Sequence, residues 1–162
     1  MINDLIDIGK PVMLWGDTGI GKSDLVRQVA RKREGGLIDF RVSTRDPVAL
    51  MGLPDVTGNT TRWKVPDEFP QVERDGPTGI LFLDEINAAS PMMQAACFGL
   101  VLDYRVGEYL LPKGWRIIAA GNRQSDKAAA QAMPSALANR MAHIDVEPNI
   151  DAWVAWADRE QK

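Results

Sequence analysis

The chain has 162 residues and is 45% hydrophobic, which suits a single domain with one sizeable core. Its net charge of -3 excludes an overall basic field that would attract nucleic acid or an anionic membrane. The net charge does not exclude a local basic patch. The single cysteine, Cys97, excludes an internal disulfide and fits a reducing compartment. Because no apolar run approaches the roughly 18 residues of a membrane span and no secretion signal is evident, we expect a soluble, cytoplasmic protein.

The strongest motif lies near the start of the chain, where residues 16–23 read Gly-Asp-Thr-Gly-Ile-Gly-Lys-Ser between an apolar run and a helical pattern. This spacing is typical of a phosphate-binding loop, because glycines let backbone N–H groups turn toward an anion and the helix N-terminus adds positive potential. Lys22 is placed to reach the β- and γ-phosphates, and Ser23 to ligate Mg²⁺. The expected nucleotide-binding residues are Gly16, Asp17, Thr18, Gly19, Ile20, Gly21, Lys22, Ser23 and Asp24.

A helix and a strand are predicted after the loop. Residues 23–33 place apolar side chains at helical spacing on one face, namely Leu25, Val26, Val29 and Ala30. Residues 37–42 alternate apolar and polar side chains and contain β-favouring types, which predicts a strand.

An interrupted helix is predicted next. Pro47 suits the first turn of a short helix that ends near Gly52. Residues 53–65 break the helical pattern around a Gly-Asn pair, which indicates either a small hairpin or an ordinary surface loop. Residues 66–74 then resume a helical pattern.

The second strong signal is an apolar strand that ends in two acids. Residues 79–83 form a continuous apolar run, as expected of a parallel strand that is buried on both faces, and Asp84 and Glu85 follow directly. Carboxylates at the carboxyl end of such a strand lie where α/β sheets bind ligands. We therefore expect Asp84 to hold Mg²⁺ and Glu85 to accept a proton from the water that attacks the γ-phosphate.

A helix, a hairpin and a further strand follow the acids. Residues 87–102 have helical spacing, and Cys97 is expected to pack in the core rather than to act as a ligand. Residues 104–110 predict two short strands that turn near Gly107. Residues 115–120 predict another buried strand, which Asn122 follows. The Asn122 amide is placed either to orient the attacking water or to contact the γ-phosphate.

The last third of the chain is predicted to hold a polar connection over residues 124–130 and a short helix over residues 133–140 that ends in Arg140. A fifth core strand is expected over residues 142–146. It carries His143, which has no partner at a catalytic or metal-binding spacing and is expected on the strand surface. A helix starting at Asn149 would carry Trp153 and Trp156, which suggests packing against another segment or against the core.

Taken together, these motifs resemble the α/β core of an AAA+ ATPase, in the clade with an insert in helix 2 that contains the MoxR-type and CbbQ/NorQ-type ATPases. The resemblance rests on GDTGIGKS as Walker A, ILFLDE as Walker B, AAGN as sensor 1 and SALANR at the position of the arginine finger. It covers the chain from about Pro11 to Trp156.

The resemblance implies a P-loop NTPase three-layer sandwich, with a five-stranded parallel sheet in the order 5-1-4-3-2 and hairpins in helix 2 and before sensor 1. It also implies a ring, usually a hexamer, with ATP between neighbouring subunits. In such a ring Lys22 would contact phosphate, Asp84 would hold Mg²⁺, Glu85 would activate water and Asn122 would position it. Arg140 would act on the neighbouring subunit's ATP; the alternative is a cation favoured at a helix C-terminus.

The sequence departs from this clade in two places. Prolines are common where Asp17 and Thr18 stand, so the loop carries an unusual negative charge. The helical lid with its sensor 2 arginine should follow Asp158 and is absent, which suggests a truncated chain. We therefore expect residues 1–148 to form the nucleotide-binding core and residues 149–162 to begin a segment that leads toward a lid.

Three functions are compatible with these features. The first is a Mg²⁺-dependent ATPase that remodels or activates a partner protein through the insert, residues 53–65, and the hairpin at 104–110. The second is a module in which ATP holds subunits together with little turnover. The third is a nucleic-acid motor, for which Arg62-Trp63-Lys64 is the one basic aromatic cluster in the insert.

Overall fold

The computed structural model describes residues 1–123 and 132–149. The helices in this part are α1 (Ile2–Asp7), α2 (Lys22–Lys32), α3 (Pro47–Met51), α4 (Val72–Asp75), α5 (Pro91–Asp103) and α6 (Ser135–Ala138). The strands are β1 (Val12–Trp15), β2 (Gly36–Arg41), β3 (Leu53–Asp55), β4 (Arg62–Lys64), β5 (Thr78–Asp84), β6 (Arg105–Val106), β7 (Tyr109–Leu110), β8 (Gly114–Gly121) and β9 (Ala142–Asp145). None of these helices is long and apolar enough to cross a membrane.

The centre of the fold is a parallel sheet of five strands in the order β2-β5-β8-β1-β9. If these five strands are numbered along the chain, the order from the β9 edge is 5-1-4-3-2, so the predicted topology is confirmed. All five strands therefore end at the same edge of the sheet, and the loops that follow them lie side by side.

Apolar residues on both faces of the sheet produce the predicted three layers. On one face, Ile80 and Phe82 of β5 pack in a core cluster with Ile6 of α1 and Val26 of α2. On the other face, a second cluster joins the alternate side chains of the same strand to the helices that follow it; it includes Leu81, Leu83, Met93, Cys97, Leu100 and Leu137. Strand residues thus alternate between two buried faces, as expected of parallel strands covered on both sides.

Both predicted hairpins are present as two-stranded antiparallel ribbons, β3 with β4 and β6 with β7. Gly52 connects α3 to the first ribbon with φ of +84°, and a Cβ there would lie 2.0 Å from the carbonyl oxygen of Lys64. Only glycine satisfies both the backbone conformation and this close approach. The first hairpin therefore leaves α3 at a fixed position.

Two predicted helices are wrong in extent. Of residues 66–74, only the end is helical, in α4, because Pro70 disfavours a helical conformation at Phe69. The turn is instead held by the Arg74 guanidinium, which donates to the Phe69 carbonyl oxygen at 2.9 Å while the Phe69 ring is buried. The helix predicted over 133–140 is likewise limited to α6.

The helix predicted from Asn87 begins later than expected. A 3-10 turn, Ile86–Ala88, comes first, and α5 starts at Pro91 with Ser90 as its N-cap. The predictions for residues 124–130 and for Trp153 and Trp156 lie outside the described residues.

Candidate functional site

A cavity of about 300 Å³ lies at the carboxyl ends of the parallel strands. We call it the carboxyl-end cavity. It is lined by Thr18, Gly19, Gly21, Lys22, Ser23, Asp24, Arg27, Arg41, Asp84, Glu85 and Asn122. The structure thus gathers most of the predicted nucleotide, metal and catalytic residues, which come from three separate stretches of sequence, around one space.

The loop over residues 16–23 uses its glycines for different reasons. Gly19 and Gly21 have φ of +83° and +91°, and a Cβ on either would meet no atom within 4 Å, so conformation alone favours glycine there. At Gly16 a Cβ would lie 2.3 Å from the Ile20 Cδ1 atom and 2.6 Å from the Val146 carbonyl oxygen. Gly16 and Ile20 therefore pack against each other and the end of the sheet and do not line the cavity.

Lys22 is held at the base of the cavity with a relative exposure of 9%. Its Nζ donates to the carbonyl oxygens of Gly16 at 2.7 Å and Asp17 at 2.8 Å, and to Asn122 Oδ1 at 3.0 Å. Three neutral oxygens from the loop and from the end of β8 thus fix the ammonium at the cavity wall. Phosphate oxygens, being anionic, are stronger acceptors for an ammonium than these neutral groups are.

The Asp17 and Thr18 side chains are exposed. The Asp17 carboxylate lies near Arg123, which in turn pairs with Asp145 at 2.9 Å. Asp24 forms an ion pair with Arg27 at 2.7 Å. Arg123 thus places a positive charge near the exposed Asp17 carboxylate, while the Asp17 carbonyl oxygen accepts a hydrogen bond from Lys22.

Ser23 and Asp84 come together at the β5 side of the cavity. Ser23 Oγ donates to Asp84 Oδ2 at 3.3 Å, and Asp84 is 6% exposed. Burial raises the Asp84 pKa, and the nearby charges of Asp39 and Glu85 raise it further, against the opposing hydrogen bonds from the Glu85 N–H and Ser23. The Arg41 guanidinium is 3.9 Å away. A hydroxyl and a carboxylate in this setting fit Mg²⁺, which prefers hard oxygen ligands and is shared with phosphates.

Glu85 lies beside the cavity in a left-handed backbone conformation with φ of +56°. The Ser43 hydroxyl donates a hydrogen bond to Glu85 Oε2. Ser43 stands in none of the predicted motifs, although the predicted strand order places it near Glu85. Because Arg41 pairs with Asp84 between β2 and β5, the residues just after both strands must meet.

Asn122 is held by Asn87, a second residue that stands in none of the predicted site motifs. The Asn87 side chain donates from Nδ2 to the Asn122 carbonyl oxygen at 2.7 Å, and its Oδ1 accepts from the Asn122 N–H at 3.1 Å. The sequence pattern places Asn87 only at the start of a helix, whereas its 1% exposure marks it as a buried polar residue with specific partners.

Arg140 does not line the cavity. It follows α6 and is exposed, and within residues 1–123 and 132–149 its guanidinium has no ion-pair partner. His143 is exposed on β9, as predicted, but its Nδ1 accepts a hydrogen bond from the Trp15 indole at 2.6 Å, with the two rings within 13° of parallel. His143 Nε2 lies 2.8 Å from the Ala138 carbonyl oxygen, so this histidine links β1 to α6.

Comparison with known proteins identifies a family. The sequence model described as AAA domain, dynein-related subfamily, matches residues 11–141. The protein named midasin from Giardia intestinalis is 28% identical over 149 residues, which cover 85% of this chain and 3% of that protein. The match of the family model confirms the AAA+ resemblance.

Two solved structures share the fold. A candidate ATPase from Cytophaga hutchinsonii superposes with a TM-score of 0.69 at 19% identity, over all of this chain and 50% of that one. NtrX from Brucella abortus has a TM-score of 0.56 at 18% identity, over 90% of this chain and 36% of that one. The chain thus spans half or less of the length of midasin and of both structural neighbours.

Proposed function

Because the chain belongs to the dynein-related subfamily of AAA domains, we propose that its carboxyl-end cavity binds ATP with Mg²⁺ and hydrolyses it to ADP and phosphate. The observation that carries this proposal is that one cavity is lined by polar side chains from the ends of three strands. These side chains belong to Lys22, Ser23, Asp84, Glu85 and Asn122. These side chains match the four tasks of ATP hydrolysis: phosphate binding, metal binding, proton abstraction and water positioning.

Phosphate binding falls to the loop and to Lys22. The positive φ angles of Gly19 and Gly21 support a loop that can direct backbone N–H groups to an anion. The β- and γ-phosphates would compete with the carbonyl oxygens of Gly16 and Asp17 for the Lys22 ammonium. The ammonium should prefer phosphate oxygens, because they are anionic and the carbonyl oxygens are neutral, and ionised partners form stronger hydrogen bonds.

Ser23 and Asp84 would hold Mg²⁺, which would offset the negative charge of the phosphates. Glu85 is the proposed general base, and it must then release the Ser43 hydroxyl to face an attacking water. Asn122 is close enough to Lys22 to contact the same γ-phosphate or the water in line with it. Protons therefore move from water to Glu85, while Lys22 and Asn122 remain fixed contacts.

Arg140 is the proposed trans-acting cation of a ring, for which we propose a hexamer on the example of other AAA+ proteins. Its exposure and its position outside the lining of the chain's own cavity support an action on a neighbouring subunit's ATP. The partner-facing surfaces would be the insert and the second hairpin, where Leu53, Val56 and Leu110 are 62%, 73% and 54% exposed. Large exposed apolar side chains of this kind suit contact with a protein that is remodelled.

The alternative of an assembly module with little turnover is favoured by one contact. The Ser43 hydroxyl occupies a carboxylate oxygen of Glu85, and a base in that hydrogen bond is less able to take a proton from water. In this alternative, ATP binding would join subunits without being consumed.

Phosphate release per subunit, measured against protein concentration with molar mass from light scattering on the same samples, tests the proposal. We expect turnover to rise as the chain self-associates and to fall about 10³-fold in Arg140→Ala, the size of effect seen for arginine fingers. Turnover that is absent at every concentration while ATP still binds would favour the assembly module. Turnover that is independent of both concentration and Arg140 would contradict the shared site.

A further inference from the structure

We infer that Asn87 is a positioning residue for ATP hydrolysis, because its buried side-chain amide fixes the backbone of Asn122 and thereby aims the Asn122 side chain into the carboxyl-end cavity. The inference rests on the proposed function, since it assigns Asn87 a part in that reaction. Asn87 does not line the cavity, and it acts only through Asn122.

The orientation of the Asn87 amide follows from its partners. A backbone carbonyl can only accept a hydrogen bond and a backbone N–H can only donate one. The Asn87 Nδ2 must therefore face the Asn122 carbonyl oxygen, at 2.7 Å, and Oδ1 must face the Asn122 N–H, at 3.1 Å. Both polar atoms of a side chain that is 1% exposed are thus used on one neighbouring residue.

This pair of bonds continues the sheet where its ladder stops. The register between β5 and β8 ends at Leu83 and Ala119, so Asn122 lies beyond the last β5 partner. The Asn87 amide offers one donor and one acceptor, as a neighbouring strand would, and holds Asn122 on that side. Without it, Asn122 would have no such partner on the β5 side, and only the pairing of Gly121 with Trp15 of β1 would hold the chain just before it.

Gly121 makes room for this arrangement. A Cβ at Gly121 would lie 2.4 Å from Asn87 Oδ1 and 2.7 Å from the Met13 Cε atom. Any larger residue would push the amide away from the Asn122 N–H. The glycine before Asn122 is therefore explained by the approach of Asn87.

The fixed backbone in turn determines what the Asn122 side chain presents. Its Oδ1 accepts from Lys22 Nζ at 3.0 Å, and because an ammonium can only donate, the amide orientation is set. The Nδ2 donors are then turned away from Lys22 and remain suited to a γ-phosphate oxygen or to the attacking water. A small rotation of the Asn122 backbone would move these donors away from the reacting atoms, and such misplacement costs rate more than binding.

The test compares Asn87→Ala, Asn122→Ala and the double variant in phosphate release at saturating ATP and in ADP affinity. We expect each single variant to lose about 10- to 100-fold in turnover, with ADP affinity within about twofold of wild type, because ADP lacks the γ-phosphate. The double variant should lose no more than Asn122→Ala, because both act through one side chain. Gln94→Ala is the matched control: it also truncates an amide that is 1% exposed, but its Nε2 bonds Ala89 and it lies outside the cavity.

Several outcomes would overturn the inference. If wild type turns over ATP and Asn87→Ala retains more than half of that rate, Asn87 does not position Asn122. If the double variant shows the product of the two single losses, Asn87 acts by another route. Absence of turnover in wild type is a different result, because it overturns the proposed function itself.

Two further measurements keep the test decisive if Asn87→Ala folds poorly. In Gly121→Ala, the added methyl group should displace the Asn87 side-chain amide. This variant should therefore also lose turnover and retain ADP binding. Hydrogen exchange of the Asn122 backbone amide should accelerate by about tenfold or more in either variant relative to Gln94→Ala, because the amide loses its acceptor. Unchanged exchange would show that Asn87 does not hold Asn122.

Discussion

The parallel sheet has a polar cavity at each end of its strands, and the two differ in how their charged groups are held. At the amino ends, a cavity of about 220 Å³ is lined by Arg33, Arg116 and several glycines. We call it the amino-end cavity. Arg33 pairs with Asp7 at 2.6 Å, and Arg116 donates to the carbonyl oxygens of Ile6, Lys113 and Trp115.

The carboxyl-end cavity contains the buried carboxylate of Asp84, whose surroundings disfavour its ionised form, unlike those of the hydrogen-bonded arginines in the amino-end cavity. Asp84 is 6% exposed, the Arg41 guanidinium is 3.9 Å from it, and burial together with the charges of Asp39 and Glu85 raises its pKa. A carboxyl with a perturbed pKa in a cavity is typical of ligand sites, whereas charges held by close protein partners are typical of structural ones. The comparison supports the proposal that phosphate and metal bind at the carboxyl ends, whereas the arginines at the amino ends attach α1 to the sheet.

The largest expected effect is loss of nucleotide binding in Lys22→Ala. Removing an ammonium that would contact two phosphates should weaken ATP binding by about 100-fold or more, because each charged hydrogen bond contributes about 1.5–3 kcal/mol. Isothermal titration with ATP measures it, and Lys113→Ala, an exposed lysine near the amino-end cavity, is the control. Equal ATP affinity in Lys22→Ala and wild type would end the phosphate-loop interpretation.

A substitution at the amino-end cavity should lower the stability of the fold and leave nucleotide binding unchanged. Arg116→Ala removes the donors that bind the Ile6 carbonyl at 2.9 Å and the Lys113 and Trp115 carbonyls. We expect the free energy of unfolding to fall by about 2 kcal/mol, with ATP affinity unchanged. Denaturant unfolding and ATP titration of the same variant check both parts. A large loss of ATP affinity without loss of stability would reverse the assignment of the two cavities.

A smaller effect is expected at Ser43. If the Ser43 hydroxyl restrains Glu85, then Ser43→Ala removes one hydrogen bond of about 1 kcal/mol and should raise turnover about fivefold. Steady-state phosphate release measures the change, with Thr44→Ala as the control, since the Thr44 hydroxyl bonds only the Arg41 carbonyl among the described residues. Slower turnover in Ser43→Ala would mean that Ser43 supports the active position of Glu85.

The sheet was predictable because each core strand carries its own signal. Residues 79–83 are continuously apolar and residues 16–23 have fixed spacing, and both patterns are local in the chain. The strand order, in contrast, follows from the family resemblance, since periodicity alone does not specify which parallel strands are neighbours. The helix predicted over 66–74 is wrong because Phe69 and the Arg74 contacts, not helical spacing, determine that turn.

The candidate site was predictable where a motif marks it and not where tertiary contact creates it. Lys22, Ser23, Asp84, Glu85 and Asn122 belong to motifs, and the structure brings them together as expected, while their roles and that of Arg140 stay predictions. Ser43 and Asn87 contact residues 42 and 35 positions away in the chain, and neither stands in a motif that names its partner. Their importance depends on β2, β5 and β8 being neighbours.

The most direct test of the central claim is ATP turnover in Glu85→Gln, with ATP binding measured on the same samples. If Glu85 is the base, glutamine keeps the shape of the side chain but cannot take a proton, so turnover should fall by about 10² or more while ATP affinity stays within about twofold of wild type. Turnover equal to that of wild type would contradict the account, because hydrolysis would then use another base.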